Sequence, residues 1–461
     1  MAAEGFEAGE RPRVLAVLPQ FIPSTFLTVV KPLTALHRAG QVIADITLES
    51  WVSARQIERA DVVLFSRNTN ARYQRVLDTV QTCGKPIVYD IDDNFFELPA
   101  YYQDELPQRS PEQLAQLERY LVSASLVRVY STAMRERALL FNPHVARVDG
   151  PIDWSLLPAS PPRRQPGTVH IVYATSRWLK DDLAALFLDD LRRLLRVYRG
   201  RVTLFFWGYH PPELKGHPSV RCWNFVSDYD RFFRKFARAG FDIGLAPLRD
   251  EPFYRAKSNN KFREYAACRI AGVYSDVEVY AECVEDGRTG LLVSSKPEAW
   301  FTALSRLIED ALLREQIQDQ AYRYARTHYS LEHTQAVWLH HIHQVLSRRT
   351  QSCALTGPGH ALPQQHNTSG PGHVVVNIGE RPGVPPTLFM SLGQRAKQAL
   401  HRWKTQGVKS VVRGGRQTLQ DLYELLRVRW RLSKVHRKMT GILNCRRGVS
   451  AKSRDASRSV S

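Results

Sequence analysis

The sequence predicts an α/β protein of two Rossmann-like, doubly wound domains facing a cleft, plus a basic, partly disordered C-terminal extension. Three observations predict it. Short β-branched runs alternate with helical patterns from Arg13 to Ser131, which implies a parallel sheet covered on both faces. The Pro-rich stretch PIDWSLLPASPPRRQPG, Pro151 to Gly167, then interrupts the pattern and reads as a domain boundary. The same alternation restarts at Val169. At 461 residues the chain has room for two such domains and more.

In the first domain, residues 1–150, four runs read as strands: RVLAVLP (Arg13 to Pro19), ADVVLFSR (Ala60 to Arg67), KPIVYDID (Lys85 to Asp92) and LVRVYS (Leu126 to Ser131). They are short, β-branched and bounded by turn residues. Helical patterns lie at about Leu27 to Arg38, Ala71 to Gln81 and Pro111 to Val122. Residues 151–167 are the linker. In the second domain, residues 168–329, the strands are VHIVYAT (Val169 to Thr175), VTLFFWG (Val202 to Gly208) and FDIGLAP (Phe241 to Pro247). Helices are expected over Leu179 to Arg196 and Ser227 to Arg238, and a further one from about Ser330 to Leu346. Residues 347–390 are rich in Pro, Gly, Gln, His and Ser and read as a flexible linker. In the tail, residues 391–461, DLYELLRVRWRLSKVHRK (Asp421 to Lys438) reads as a loosely amphipathic helix.

Charge is unevenly placed. The whole chain carries +19, and the 71 residues from Ser391 to Ser461 account for +15 of it. The body is therefore nearly balanced, which argues against a basic nucleic-acid groove through the core. Six cysteines are scattered without a CxxC pair, as suits a reducing compartment. The polar N-terminus is expected not to be a signal peptide. No apolar run approaches the roughly 18–20 residues that span a bilayer. A cytoplasmic enzyme is the expectation. Its basic tail is left open between docking on the inner, anionic membrane surface, nucleic-acid binding and plain solvation.

The segment Phe241 to Val293 carries the chemistry. An apolar run ends at Pro247, a loop follows, and a helix opens with KSNNK. Ser258 or Asn259 is placed to cap that helix. Lys257, Lys261 and Glu264 are spaced i, i+4, i+7 and so are expected on one face. A helix N-terminus flanked by cations suits phosphate, and the Glu264 carboxylate suits a pair of vicinal hydroxyls. An ordinary surface Lys–Glu pair is the alternative.

The wider segment resembles the C-terminal half of the GT-B glycosyltransferases of family 4. The matching pieces are DIGLAPL (Asp242 to Leu248), KSNNKFREYAA (Lys257 to Ala267), YSDVEVY (Tyr274 to Tyr280) and EDGRTGLLV (Glu285 to Val293), with LLREQIQDQAYRYARTHYS behind them. The resemblance implies a retaining, metal-independent transferase with no cofactor. A nucleotide-diphosphate sugar would be donor, and a glycan or lipid-linked glycan acceptor. It implies that Glu264 binds the nucleotide ribose and that Lys257 and Lys261 act on the diphosphate. It also implies that Arg177 and Lys180 join Ser258 and Asn259 on the donor, and that the last helix crosses back to the first domain. Two departures stand out. Ala256 occupies the place of an earlier family glutamate, and Arg269 and Ala271 replace the usual Gly and Pro after the helix, so a residue without easy access to positive φ must make that turn. A catalytically degenerate module that binds glycan or nucleotide is the competing reading.

Asp90, Asp92 and Asp93 form a DIDD run at a strand end. Asp90 and Asp92 are expected to contact acceptor hydroxyls, with capping or a divalent cation as alternatives. His340, His341 and His343 read as ordinary histidines, because no third ligand of fitting spacing completes a zinc site.

Overall fold

The computed structural model describes residues 11–99, 110–162, 167–176 and 182–355. In the first lobe the elements run in order β1 (Arg13–Leu18), α1 (Pro23–Thr25), a π-helical turn (Phe26–Val30), α2 (Lys31–Arg38), β2 (Ile43–Leu48), α3 (Ala54–Arg59) and β3 (Val62–Ser66). There follow α4 (Gln74–Thr82), β4 (Ile87–Asp90), α5 (Pro111–Ser123), β5 (Leu126–Val129), α6 (Thr132–Leu139) and β6 (Val145–Arg147). The second lobe begins with β7 (Val169–Ala174), α7 (Leu188–Val197), β8 (Val202–Trp207), β9 (Val220–Trp223), α8 (Tyr229–Arg238) and β10 (Ile243–Ala246). It continues with α9 (Pro252–Arg255), α10 (Asn260–Ala267), β11 (Ala271–Ser275), α11 (Glu278–Ala281), β12 (Leu291–Val293), α12 (Ala299–Glu309) and α13 (Ala311–His328), before α14 (Leu331–Leu355).

Each lobe holds one six-stranded, wholly parallel sheet. The strand orders are β2-β1-β3-β4-β5-β6 and β12-β11-β10-β7-β8-β9. Central strands such as β3 and β4 are buried along their whole length, which is why they read as unbroken apolar runs. Sequence reasoning missed β2, β6, β9 and β12, all at sheet edges. The residues of β2, β6 and β9 are mostly half-buried or exposed, so the apolar signal is diluted. The helix expected over Leu179 to Arg196 is in fact a 3₁₀ segment (Asp182–Leu186) followed by α7.

Helix α14 follows the second lobe in sequence and packs on the first. Its Trp338, Ile342 and Val345 are buried with Val29, Leu33 and Leu64 of the first lobe. Trp338 Nε1 donates to the Thr28 carbonyl at 2.7 Å, and the Arg128 guanidinium lies 3.3 Å from the centre of its ring. The helix runs on to Leu355, beyond the Leu346 end expected from sequence and into the stretch read as linker. The predicted tail and its amphipathic segment lie outside the described residues. Among the described residues no helix is long and apolar enough to cross a membrane.

The lobes also share a segment. In α9 of the second lobe, Phe253 and Tyr254 are buried in the core cluster of the first, beside Val129, Met134 and Phe95.

Candidate active site

In an open parallel sheet, ligands bind outside the carboxyl ends of the strands, where the strand order reverses. In the second sheet that point lies between β7 and β10, because β8 and β11 run off to opposite sides. The loop after β10 leads through α9 into α10. In the first sheet the reversal lies between β1 and β3, and Arg67 directly follows β3.

Helix α10 is held by its apolar face. Phe262, Tyr265 and Ala266 are buried, and the Tyr265 hydroxyl donates to the Leu245 carbonyl at 2.7 Å. A side chain at Gly244 would stand 2.6 Å from the Tyr265 ring, so that glycine allows the helix to lie close on β10. Asn259 stands at the cap position but does not cap. Its Oδ1 accepts from Arg263 Nε at 2.9 Å, and its Nδ2 donates to the Tyr329 hydroxyl at 3.0 Å. This corrects the capping expectation. The first N–H groups of α10 receive no bond from Asn259, and such orphan donors suit an anion.

Lys261 and Glu264 lie together on α10, with Lys261 Nζ donating to Glu264 Oε2 at 2.7 Å. Burial and the neighbouring Glu264 carboxylate push the Tyr229 phenol up. Lys257 does not share that face. It precedes the helix, its Nζ donates to Asp93 Oδ1 of the first lobe at 2.6 Å, and it lies 4.0 Å from the centre of the Phe253 ring. The i, i+4, i+7 stripe is therefore corrected to a pair on the helix and one lysine at the lobe boundary. The side chains of Lys257 and Lys261 keep 22% and 27% of their surface accessible, so both remain reachable. Ser258, half-buried, stands between Lys257 and Asn259. Arg177 and Lys180 lie outside the described residues.

The departures take definite form. Ala256 is buried, and its carbonyl accepts from Ser131 Oγ of the first lobe at 2.9 Å. Arg269 makes the turn after α10 with φ 54°, a left-handed conformation that favours glycine. Its guanidinium bonds Asp319 and lies 3.9 Å from the centre of the Tyr322 ring.

The DIDD run separates into different roles. Asp90 is fully buried. Its carboxylate accepts from the Tyr130 hydroxyl at 2.7 Å and Ser66 Oγ at 3.2 Å, with Arg128 Nε at 3.5 Å. Burial outweighs these partners and pushes its carboxyl up to about 6. Asp90 therefore serves the packing of β3, β4 and β5, which corrects the acceptor assignment. Asp92 accepts from Arg67 Nη1, and Asp93 Oδ2 lies 2.8 Å from the same nitrogen. Among the described residues no group of three or more His, Cys, Asp or Glu side chains is arranged to hold a metal. His341 is buried, and burial, Arg128 and His340 together push it down to about 3.

Sequence reasoning missed Arg67, Asp93 and Tyr229 as site residues. Asp93 lay in a run already singled out, and Arg67 ended a predicted strand. Tyr229 carries no signal, because only the fold brings α8 beside α10.

Residues 169–310 match the family described as glycosyl transferases group 1. The match covers most of the second lobe. Among solved structures, the chain resembles HepE of Anabaena in complex with UDP and glucose, at 14% identity and TM-score 0.51, over 75% of this chain and 100% of that one. It also resembles a glycosyltransferase of Rickettsia africae at 14% identity and TM-score 0.54, over 73% and 99%. Sucrose-phosphate synthase of Thermosynechococcus elongatus matches at 14% identity and TM-score 0.53, over 75% and 100%. These likenesses establish the two-lobed GT-B fold. No curated protein matches the chain in sequence.

Proposed function

We propose that this glycosyltransferase moves a sugar from a nucleoside-diphosphate sugar to a hydroxyl of a glycan or lipid-linked glycan, with retention at the anomeric carbon and without a metal. One observation carries the reading. The uncapped start of α10, with Lys257, Lys261 and Glu264, stands at the strand-order reversal of the group 1 lobe and faces the charged strand ends of the first lobe.

The chemistry follows from charge. The bond from the anomeric carbon to the diphosphate breaks through an oxocarbenium-like state, and the electron pair leaves with the diphosphate. Lys257, Lys261 and the orphan N–H groups of α10 meet that growing charge as a preorganised set. Arg177 and Lys180 are assigned to the same diphosphate in this reading. Glu264 holds the two ribose hydroxyls through its carboxylate oxygens. Ser258 and Asn259 frame the phosphate from the backbone side, and Asp92 faces the acceptor.

The solved relative with UDP and glucose supports a nucleotide donor. The test is binding. Wild-type protein is expected to gain thermal stability with UDP or GDP, since a ligand of the native state alone raises the melting point. Glu264→Ala is expected to lose most of that gain, and an unchanged shift in the variant sinks the assignment.

The tail extends the reading. The +15 charge of residues 391–461 supports docking of the enzyme on anionic lipid at the cytoplasmic face of a membrane. Removing Ser391 to Ser461 is expected to abolish low-salt sedimentation with phosphatidylserine vesicles and to leave UDP or GDP binding intact. Equal sedimentation of both forms rejects the idea.

A further inference from the structure

A charge cluster joins the two lobes beside the donor site. Asp93 belongs to the first lobe and Lys257 to the second, and their side chains meet at 2.6 Å. Behind Asp93 stands Arg67, with φ 61°. A non-glycine residue in that region is strained and persists only where its surroundings hold it. They do so here. The guanidinium lies 4.9 Å from the centre of the Phe95 ring, bonds Asp92, and stands 2.8 Å from Asp93 Oδ2. Burial opposes the charge on Asp93, yet Lys257 and Arg67 outweigh it and bring the carboxyl down to about 2. The carboxylate is thus ionised at neutral pH, with one oxygen toward each cation.

The backbone of Lys257 is fixed by the first lobe as well. Phe253 and Tyr254 sit in that lobe's core, and the Ala256 carbonyl accepts from Ser131. We propose that Asp93, oriented by Arg67, is a positioning residue that sets the Lys257 ammonium at the mouth of the donor site. One lobe thereby aims a cation that the other uses. This rests on the donor reading above. Lysine is rich in rotamer entropy, and a side chain already fixed does not lose that freedom when ligand arrives. Arg67 meets the Asp93 charge that would otherwise oppose a diphosphate.

The experiment titrates the full-length protein with UDP and GDP and with uridine and guanosine, by calorimetry and ligand-observed NMR. It compares wild type, Asp93→Asn, Asp93→Glu, Lys257→Ala, the Asp93→Asn/Lys257→Ala double variant and Glu264→Ala. Asp93→Asn is expected to weaken the diphosphate about tenfold and to leave the nucleoside unchanged. In the Lys257→Ala background it adds little, since the two residues act as one unit. Asp93→Glu, which keeps the charge, recovers part of the loss, and it carries the comparison should Asp93→Asn fail to fold. Unchanged or tighter diphosphate binding in Asp93→Asn overturns the proposal. So does an equal loss for the nucleoside, or an effect fully additive with Lys257→Ala. Glu264→Ala keeps the two readings apart, because it is expected to weaken nucleoside and diphosphate alike. If it does so while Asp93→Asn changes nothing, only the positioning role fails. If wild type binds neither UDP nor GDP, the donor reading fails and this proposal with it.

Discussion

Lys261 and Glu264 hold each other at 2.7 Å, so each variant of one alters the other. Lys261→Ala removes a cation from the proposed leaving-group site and unties the carboxylate. Its expected effect falls on kcat, by about 10²-fold, the scale on which loss of one preorganised electrostatic donor acts. Steady-state kinetics with the active nucleotide sugar checks this, and an unchanged kcat places Lys261 outside the reaction. Gly150 offers a second test. A Cβ there would stand 2.4 Å from the Arg263 guanidinium, which is buried and donates to the Pro151 carbonyl at 2.9 Å. Gly150→Ala must push that guanidinium aside and is expected to cost about 1–3 kcal/mol, read from urea unfolding.

At the scale of elements, α10 ends on a residue that works against its own turn. Arg269 adopts φ 54°, which costs roughly 1–2 kcal/mol for an L-residue with a side chain. Its contacts with Asp319 and Tyr322 offset part of that. Arg269→Ala loses the contacts and keeps the strain, whereas Arg269→Gly loses both. The glycine variant is therefore expected to be more stable than the alanine one by about 1 kcal/mol, as thermal melts would show. The need for positive φ at this turn was legible in the residues of the turn itself, where Arg269 and Ala271 stand in place of the usual Gly and Pro. The buried central strands were legible for a similar reason: an unbroken apolar run is a local signal. The side-chain partnerships were not. Lys257 looks like a helix-face residue at its spacing, and its bond to Asp93 spans a sequence separation of 164. The edge strand β2 mixes Asp45 and Thr47 with Ile43 and Ile46, so its period is obscured until β1 pairs with it. Asp90 and Asp93 are neighbours in one acidic run, and only packing decides that the first is sealed in and the second faces the other lobe.

At the scale of the molecule, α14 binds the end of the described chain to the first lobe. Trp338 is fully buried, bonds Thr28 and stacks on Arg128. Trp338→Ala is expected to cost about 3–5 kcal/mol, measured by chemical denaturation, and a loss below 1 kcal/mol contradicts this packing. Stability also depends on pH through Glu49. Burial pushes its carboxyl up to about 7 against the bond from Asn68, from an ordinary value of 4.5. Its folded pKa is raised, so its contribution is fully present below pH 4.5 and is lost as pH rises through 7. The loss amounts to about 3 kcal/mol. Glu49→Gln is expected to flatten the fall in melting temperature between pH 5 and 8, roughly the span of that titration. An equally steep fall in the variant places the titration elsewhere.

Phe253 and Tyr254 are coded with one half of the chain and lodged in the other. Exchanging whole halves between related transferases at residues 151–167 would therefore strand Phe253 and Tyr254 against a foreign surface. A hybrid that keeps the native packing has to transplant residues 252–257 and the chain from Leu331 onward together with residues 11–150, so the workable seam for recombination follows the packing and cuts the gene in four places.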